Sequence, residues 1–491
     1  MNSTPVLKPY LKSADIISPH ATGPLYYTAS QLASIYQFPT PNISINKVVA
    51  VVSFGGGLYG SLNATSKVLT NGDVQQYWKY QGILAVNMPK VIVHLVGNSK
   101  NNVADYSSTC ENTLDVSVIG SCCPSPNLTI ILFIFPSNTY SLFTAFKTIL
   151  EGATIANIKY KPTIISVSWG CPEIAYLING KDVTGELTNV AALLKTATQN
   201  GVNICVASGD AGSTDSTTVL SADFPSSCPY VTAVGGTSLT CNSGKYDINT
   251  QETVWNNGVI NGSFWATGGG VSQFYSKPSY QTVAPSSFRC VPDIALDSDP
   301  NTGIVMYLNG VLQTGIGGTS MAAPMVAGFL ACLNLASTIA IPFVNNVLYN
   351  SANAKTCFHD IISGNNYNAV NKKEPTSYVA TVGYDCASGL GSIIGSTLAI
   401  AMIPPKPIII TSVSLNKPNI TLRIGASQIF IASVIPTNAT NATIKWTSSN
   451  INIVSITQTG TIKALVKGIA TITASSTDGS NKSTTLIVNV K

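Results

Sequence analysis

Between residue 48 and about residue 400 the chain alternates two kinds of segment. Short apolar runs rich in β-branched residues stand at 48–53, 91–96, 129–135, 163–167, 202–207 and 230–234. Stretches with helical spacing of apolar positions, among them 140–151 and 186–199, lie between them. Strands that are apolar on both faces and separated by helices predict a doubly wound parallel sheet of the α/β class. In such sheets, active sites collect at the carboxyl ends of the strands. The pattern stops at Pro404, Pro405 and Pro407, which neither a helix nor a central strand accommodates. Residues 1–403 therefore read as one domain and 404–408 as a Pro-rich linker. Beyond it, short strands at 412–415, 428–434, 443–447, 454–456, 461–464, 471–474 and 485–490 between turn signals predict a small all-β sandwich over 409–491.

Composition narrows the function. Two folded units suit 491 residues, and 45% hydrophobic with only 10% charged residues describes a well-packed globular chain. The net charge of +5 is spread thinly, no Lys/Arg cluster tracks a phosphate backbone, and Arg occurs only at 289 and 423, so nucleic-acid binding is excluded. The N-terminal stretch has no apolar signal-like core, and no run reaches the length of a membrane span. Eleven cysteines without CxxC spacing suit disulfides better than zinc. Disulfides and the sequons at Asn42, Asn63, Asn127 and Asn438 would fit a secreted protein or one of an acidic lumen. The alternative is that thiols such as Cys205 and Cys332, in apolar runs, are simply buried.

Gly317-Gly318-Thr319-Ser320-Met321-Ala322-Ala323-Pro324 opens an Ala-rich apolar helix over 321–333. A serine at a helix start lies beside unpaired N–H groups able to stabilise an oxyanion, although Thr319 or Ser320 would equally serve as an N-cap. The GTSMAAP string is shared by the nucleophile segments of subtilisins and sedolisins. Of the three histidines, His94 lies inside an apolar strand, His359 in Cys-Phe-His-Asp and His20 in a Pro-rich lead-in, so a Ser-His-Asp triad is not expected. Glu111 and Asp115 offer another base. Four residues apart, they share one helix face, close enough to hold a proton between them, in a chain with only 21 acidic residues.

These strings occur in one order with Ser166-Val167-Ser168-Trp169-Gly170, Ala207-Ser208-Gly209-Asp210-Ala211-Gly212, Val234-Gly235-Gly236-Thr237-Ser238, Gly268-Gly269-Gly270-Val271-Ser272 and Val291-Pro292-Asp293-Ile294-Ala295. In this the region from about residue 26 to 400 resembles the sedolisin (serine-carboxyl peptidase) family, which has a subtilisin-like fold and includes tripeptidyl peptidases. The resemblance implies Ser320 as nucleophile, Glu111 as general base and acid, Asp115 as its partner, and Asp210 as the oxyanion-hole acid of a serine peptidase working below neutrality. It also implies peptide-binding backbone at Ser168, Trp169 and Gly170 and at Gly268, Gly269 and Gly270. A structural calcium ion would be held by the side chains of Asp360 and Asp385 and the carbonyls of Ile361, Thr381 and Gly383. Cys357 and Cys386 flank that loop and suggest a clamping disulfide. Family members carry a long N-terminal prosegment, and the stretch before Val48 is too short for one.

Residues 409–491 resemble a group-two bacterial Ig-like domain through Trp446-Thr447-Ser448-Ser449-Asn450, Thr459-Gly460-Thr461-Ile462 and Lys467-Gly468-Ile469-Ala470-Thr471-Ile472. Such a domain would bind a surface, glycan or protein partner, or act as a spacer. Two readings compete with a peptidase acting on polypeptides: a catalytically silent adhesion protein on the same fold, and a histidine-dependent subtilase.

Overall fold

The computed structural model describes residues 5–13, 26–41, 45–137, 141–337, 341–350, 356–367, 378–403 and 408–491, with only the backbone at Lys12 and Ser13. His20, the Asn42 sequon and linker residues 404–407 lie outside the described residues. The chain divides into two compact units, Met1–Ile403 and Pro404–Lys491.

The first unit is built on β1 (Lys47–Phe54), β2 (Lys90–Leu95), β3 (Leu128–Phe135), β4 (Ile164–Val167), β5 (Asn203–Ala207), β6 (Thr232–Thr240), β7 (Gln251–Val254) and β8 (Ile294–Asp297). They form one sheet in the order β7-β6-β5-β4-β1-β3-β2, with β8 also beside β6. Every pairing is parallel except that of β6 with β7. Alternate side chains of one strand enter different cores. Val49 and Val51 join one cluster with the long central helices, while Ala50 and Val52 join another with helices Leu142–Glu151 and Glu186–Gln199. A strand apolar at consecutive positions is what a sheet covered on both faces requires.

Two helices on the first of those faces carry the chemistry-bearing residues. Helix α1 (Tyr106–Cys122) starts at Asp105, whose carboxylate accepts the Ser108 N–H at 3.4 Å, and is buried from Ser108 onward. Helix α2 (Thr319–Ala336) is buried from Thr319 to Leu335. The two come close at Gly328, where a Cβ would stand 2.6 Å from that of Cys122, so only glycine allows this approach. Helix α2 is apolar and long enough to cross a membrane, yet 94% of it is buried inside the fold. It is the core helix of a globular unit.

In the second unit, a four-stranded sheet (Asn419–Leu422, Ser483–Val490, Gly468–Ser476, Ile444–Ser448) and a three-stranded one (Ser427–Ile429, Thr461–Ala464, Val454–Ile456) enclose Trp446, Phe430, Ile462, Ile472 and Leu486. The run 428–434 is two strands, not one. Ser427–Ile429 pairs with Thr461–Ala464 and Ala432–Ile435 with Ser412–Leu415, on either side of the buried Phe430.

The expectation of disulfides is corrected. All eleven cysteines are free thiols, and all are buried. Cys386 adjoins Cys290, with which it shares a hydrogen bond, and not Cys357. The large apolar core of this unit supplies what disulfides supply in smaller secreted domains.

Candidate active site

The α-helical register of α1 puts Glu111 and Asp115 one turn apart on the face turned toward α2, and neither has any exposed surface. Burial pushes both carboxyls well above their usual range, and the charge of Asp115 adds to the rise at Glu111. The Ser320 hydroxyl and the Leu11 backbone N–H approach Glu111 and pull the other way. Neither Glu111 oxygen, nor Ser320 Oγ, makes a hydrogen bond of full normal geometry, the loose pre-reaction arrangement common for catalytic groups. Asp115 is fixed from the far side, where Oδ1 accepts the Ser168 hydroxyl at 2.7 Å.

Ser320 is the second residue of α2, behind Gly318, which has a φ of 98° and supplies no side-chain cap. The capping reading of Thr319 and Ser320 is therefore set aside. Asp210, in the loop that follows β5, is 3% exposed. Its Oδ1 accepts both the backbone N–H and the hydroxyl of Thr319, each at 2.8 Å. Three separate segments thus meet at one point: α1 with the acid pair, the β5 loop with Asp210, and the start of α2 with Ser320.

Neither of the two described histidines is found among these groups. His94 packs edge-on against Phe133, and His359 stacks on Tyr246 at 3.4 Å with its pKa lowered by burial to about 4.

Residues 8–13 run through this site as an extended segment with two short strands, Lys8–Pro9 and Lys12–Ser13, which nothing in their pattern of residues announces. Lys8 pairs antiparallel with Gly170 and Pro9 with Trp169, and the Tyr10 N–H donates to the Ser168 carbonyl at 3.2 Å. Farther along, Lys12 pairs with Gly317 and Ser13 with Ile316, directly before the nucleophile. The Tyr10–Leu11 peptide therefore crosses the site between these two pairings, with its N–H directed to Glu111.

The family model for the subtilase family matches residues 131–338, and that for the bacterial Ig-like domain (group 2) matches 409–488. Kumamolisin from Bacillus sp. (strain MN-32) is 32% identical over 397 residues, 78% of this chain and 65% of kumamolisin. Sedolisin from Pseudomonas sp. (strain 101) is 31% identical over 382 residues, 75% and 60% of the two chains. The solved structure of Pseudomonas sedolisin, a serine-carboxyl proteinase complexed with pseudo-iodotyrostatin, superposes with a TM-score of 0.62 at 29% identity, covering 77% of this chain and 97% of that one. The chain carries a subtilase-family domain with a fold like that of sedolisin. It spans 65% of the length of kumamolisin and 60% of that of the curated sedolisin.

Within this domain, Ser168, Trp169 and Gly170 flank the extended segment directly. Gly268, Gly269 and Gly270 have other neighbours. The Gly268 N–H donates to the Gly209 carbonyl at 2.6 Å, its carbonyl accepts the Ser208 hydroxyl at 2.9 Å, Gly269 lies against the Cys386 carbonyl, and Gly270 pairs with Val291. Gly268 thus braces the loop that carries Asp210.

The loop residues implied for calcium also come together. Asp385, buried, accepts the N–H groups of Thr381, Ala387 and Ser388 at 2.8 to 3.0 Å, and Asp360 accepts that of Gly383 at 2.9 Å. Ile361 is buried, whereas Thr381 and Gly383 are exposed. No cluster of three or more His, Cys, Asp or Glu suited to a metal occurs among the described residues. Two carboxylates held by backbone N–H groups offer oxygen donors of the hard kind that calcium takes.

Sequence reasoning passed over Asp223, Asp215 and the Arg289–Asp293 pair. Asp293 lies in a quoted motif but gave no hint of its partner. Arg289 meets it through two bonds of 2.5 and 2.6 Å, fully buried.

Proposed function

We propose that this chain is a serine peptidase that hydrolyses polypeptides at acidic pH through Ser320, Glu111 and Asp115, with Asp210 as the oxyanion acid. The observation that carries this reading is the buried Glu111–Asp115 pair facing Ser320 with a peptide laid between them. Ser320 Oγ attacks the carbonyl carbon and Glu111 takes its proton, while Asp115, held by Ser168, shares the resulting proton load. The tetrahedral oxyanion is stabilised by the first-turn N–H of Ser320 and by a neutral Asp210, which donates a hydrogen bond that an ionised carboxylate would withhold. Glu111 then protonates the leaving nitrogen, and water repeats the sequence on the acyl-enzyme. One carboxylate must be ionised while another stays protonated, and that confines the chemistry to acid.

Lys8, Pro9 and Tyr10 are held along the acyl side of the cleft and the chain continues past these three to Pro5 and Val6, which line the same space; room beyond three residues favours internal cutting over tripeptidyl release. Asp360 and Asp385, with the carbonyls of Ile361, Thr381 and Gly383, would hold one calcium ion that ties two loops together and takes no part in the chemistry. The test is digestion of an unfolded protein from pH 3 to 7. Fragments of varied length at acid pH, absent with Ser320→Ala, are expected. Equal digestion by the two proteins, or a product set made of tripeptides, would overturn the peptidase or the endopeptidase assignment respectively.

A further inference from the structure

Two of the eleven cysteines stand where separate segments of the first unit are pressed together. Strand Phe288–Val291 pairs with Gly270–Ser276, which sets Cys290 opposite Val271. The loop that carries Asp385 docks on the same place. The Tyr384 hydroxyl donates to the Pro292 carbonyl at 3.0 Å, and the Leu390 N–H donates to the Asp293 carbonyl at 2.9 Å. The Cys386 carbonyl fills the space that a Cβ on Gly269 would need, one residue before the start of the strand that pairs with Cys290. Between these ties the thiols of Cys386 and Cys290 meet in a hydrogen bond, inside a small apolar cluster with Ala284 and Tyr378. Gln281 fixes the Cys290 backbone: its amide N–H donates to the Cys290 carbonyl at 2.6 Å, and its oxygen accepts the Cys290 N–H at 2.9 Å.

We propose that Cys290 and Cys386 are a reversible dithiol–disulfide couple whose oxidised form bolts the Asp385 loop to strand Phe288–Val291 and so substitutes in part for calcium. The last clause rests on the calcium reading above; the couple itself does not. The oxidant is a small external disulfide such as oxidised glutathione. The Cys290 thiolate attacks one of its sulfurs, the external S–S bond breaks, and one thiolate leaves. Cys386, after losing its proton, attacks Cys290 Sγ in the mixed disulfide and expels the second. The two protons end on the two released thiols, and two electrons pass from the protein pair to the oxidant.

A second pair, Cys123 and Cys332, also shares a hydrogen bond, but it lies in the main core beside α1 and α2, where burial holds the Cys123 thiol well above its usual range. Cys290 is instead pulled down to about 7, first by the Cys386 hydrogen bond, with Arg289 and Lys277 adding to it. A thiolate is therefore available near neutral pH. Both thiols are buried, so exchange follows local opening of the loop, whose residues Thr381, Val382 and Gly383 are already exposed.

The full chain carrying Ser320→Ala, which prevents self-digestion, is incubated at neutral pH with oxidised or reduced glutathione. Thiols are counted by alkylation in denaturant, cross-linked peptides are mapped by mass spectrometry, and Tm is read in chelator and in calcium. The expected results are loss of two thiols, one cross-link between Cys290 and Cys386, and recovery of both thiols on reduction. Oxidised protein in chelator should have a Tm about 3–8 °C above that of reduced protein. Calcium should raise the Tm of the oxidised form by less than that of the reduced one, and Cys290→Ala should abolish the difference between the two treatments. Mapping the cross-link needs no cysteine variant, so the proposal stays open to refutation if that variant does not fold. Oxidation that stops at a glutathione adduct, joins Cys123 to Cys332 instead, or leaves every thiol in place would overturn the proposal. So would the expected cross-link with an unchanged Tm in chelator. A higher Tm on oxidation with no response to calcium in either form would support the couple and remove only the calcium reading.

Discussion

Asp210 Oδ1 accepts both the backbone N–H and the hydroxyl of Thr319 at 2.8 Å, which ties the loop acid to the residue immediately before Ser320. A carboxyl held in this way does not reorganise when charge develops beside it, the condition under which an oxyanion donor is most effective. Asp210→Ala is expected to lower kcat by about 100- to 1,000-fold with little change in KM, as for loss of one oxyanion-hole donor. Thr319→Val, which removes one of the two anchors, should have a smaller effect in the same direction. A loss confined to KM would assign Asp210 to substrate binding instead.

Stability should be higher in acid. Burial raises the carboxyl pKa of Glu111, Asp115, Asp223, Asp297 and Glu252. Unfolding returns these groups to about 4, so between that pH and their folded values the native state keeps protons that the unfolded chain has released. Stability is therefore fullest near pH 4 and declines as pH rises through that window. His359, held at about 4 by burial, and His94, also lowered, act in the opposite sense up to about pH 6.5, but they are two groups against five. Depressed carboxyls such as Asp182 matter only below about pH 4. Thermal unfolding of Ser320→Ala, which prevents self-digestion, should show a higher Tm at pH 4.5 than at pH 7. Adding Glu111→Gln should flatten the difference, and a Tm that rises toward neutrality would refute this account.

Much of this arrangement was legible in the chain because it is local. The helical spacing at 186–199 coincides with helix Glu186–Gln199, and the four-residue interval between Glu111 and Asp115 becomes a shared face of α1. What was hidden depends on tertiary pairing. Residues 8–13 contain Lys, Pro and Ser with no alternation, and they become strands only because Trp169–Pro172 and Val311–Gly317 offer them open edges. Asp223 sits among Ser, Ala and Phe with nothing to mark it. The cysteines misled because their number suggests disulfides, whereas all are buried and all but Cys110 join apolar clusters, where a thiol behaves as a small hydrophobe.

Calcium should act on stability before it acts on rate, since the loops of Asp360 and Asp385 lie outside the three segments that meet at Ser320. Chelation is expected to lower Tm. The native state would lose ~2.7 kcal/mol relative to calcium at 100 times its Kd. Asp360→Ala should abolish the response to added calcium as read by differential scanning fluorimetry. An unchanged response in that variant would place the ion elsewhere.

The Arg289–Asp293 pair, with both side chains fully buried, holds the segment before β8 in place. Asp293 also accepts hydrogen bonds from the Tyr349 hydroxyl and the Ala233 N–H. Removing one partner leaves an uncompensated charge in the interior. Arg289→Ala is expected to cost about 3–5 kcal/mol in denaturant unfolding, whereas a surface pair would cost less than about 1 kcal/mol. A cost in the lower range would mean that water reaches the site.

The claim that a carboxylate replaces histidine as the base is tested most directly by kcat/KM near pH 4 for a peptide substrate. Glu111→Gln is to be compared with a protein in which His20, His94 and His359 are all replaced by alanine. The account predicts a loss of about 100- to 10,000-fold for Glu111→Gln, the usual contribution of a general base, and near-normal turnover for the protein without histidines. Activity that survives Glu111→Gln but disappears with the histidines would contradict it.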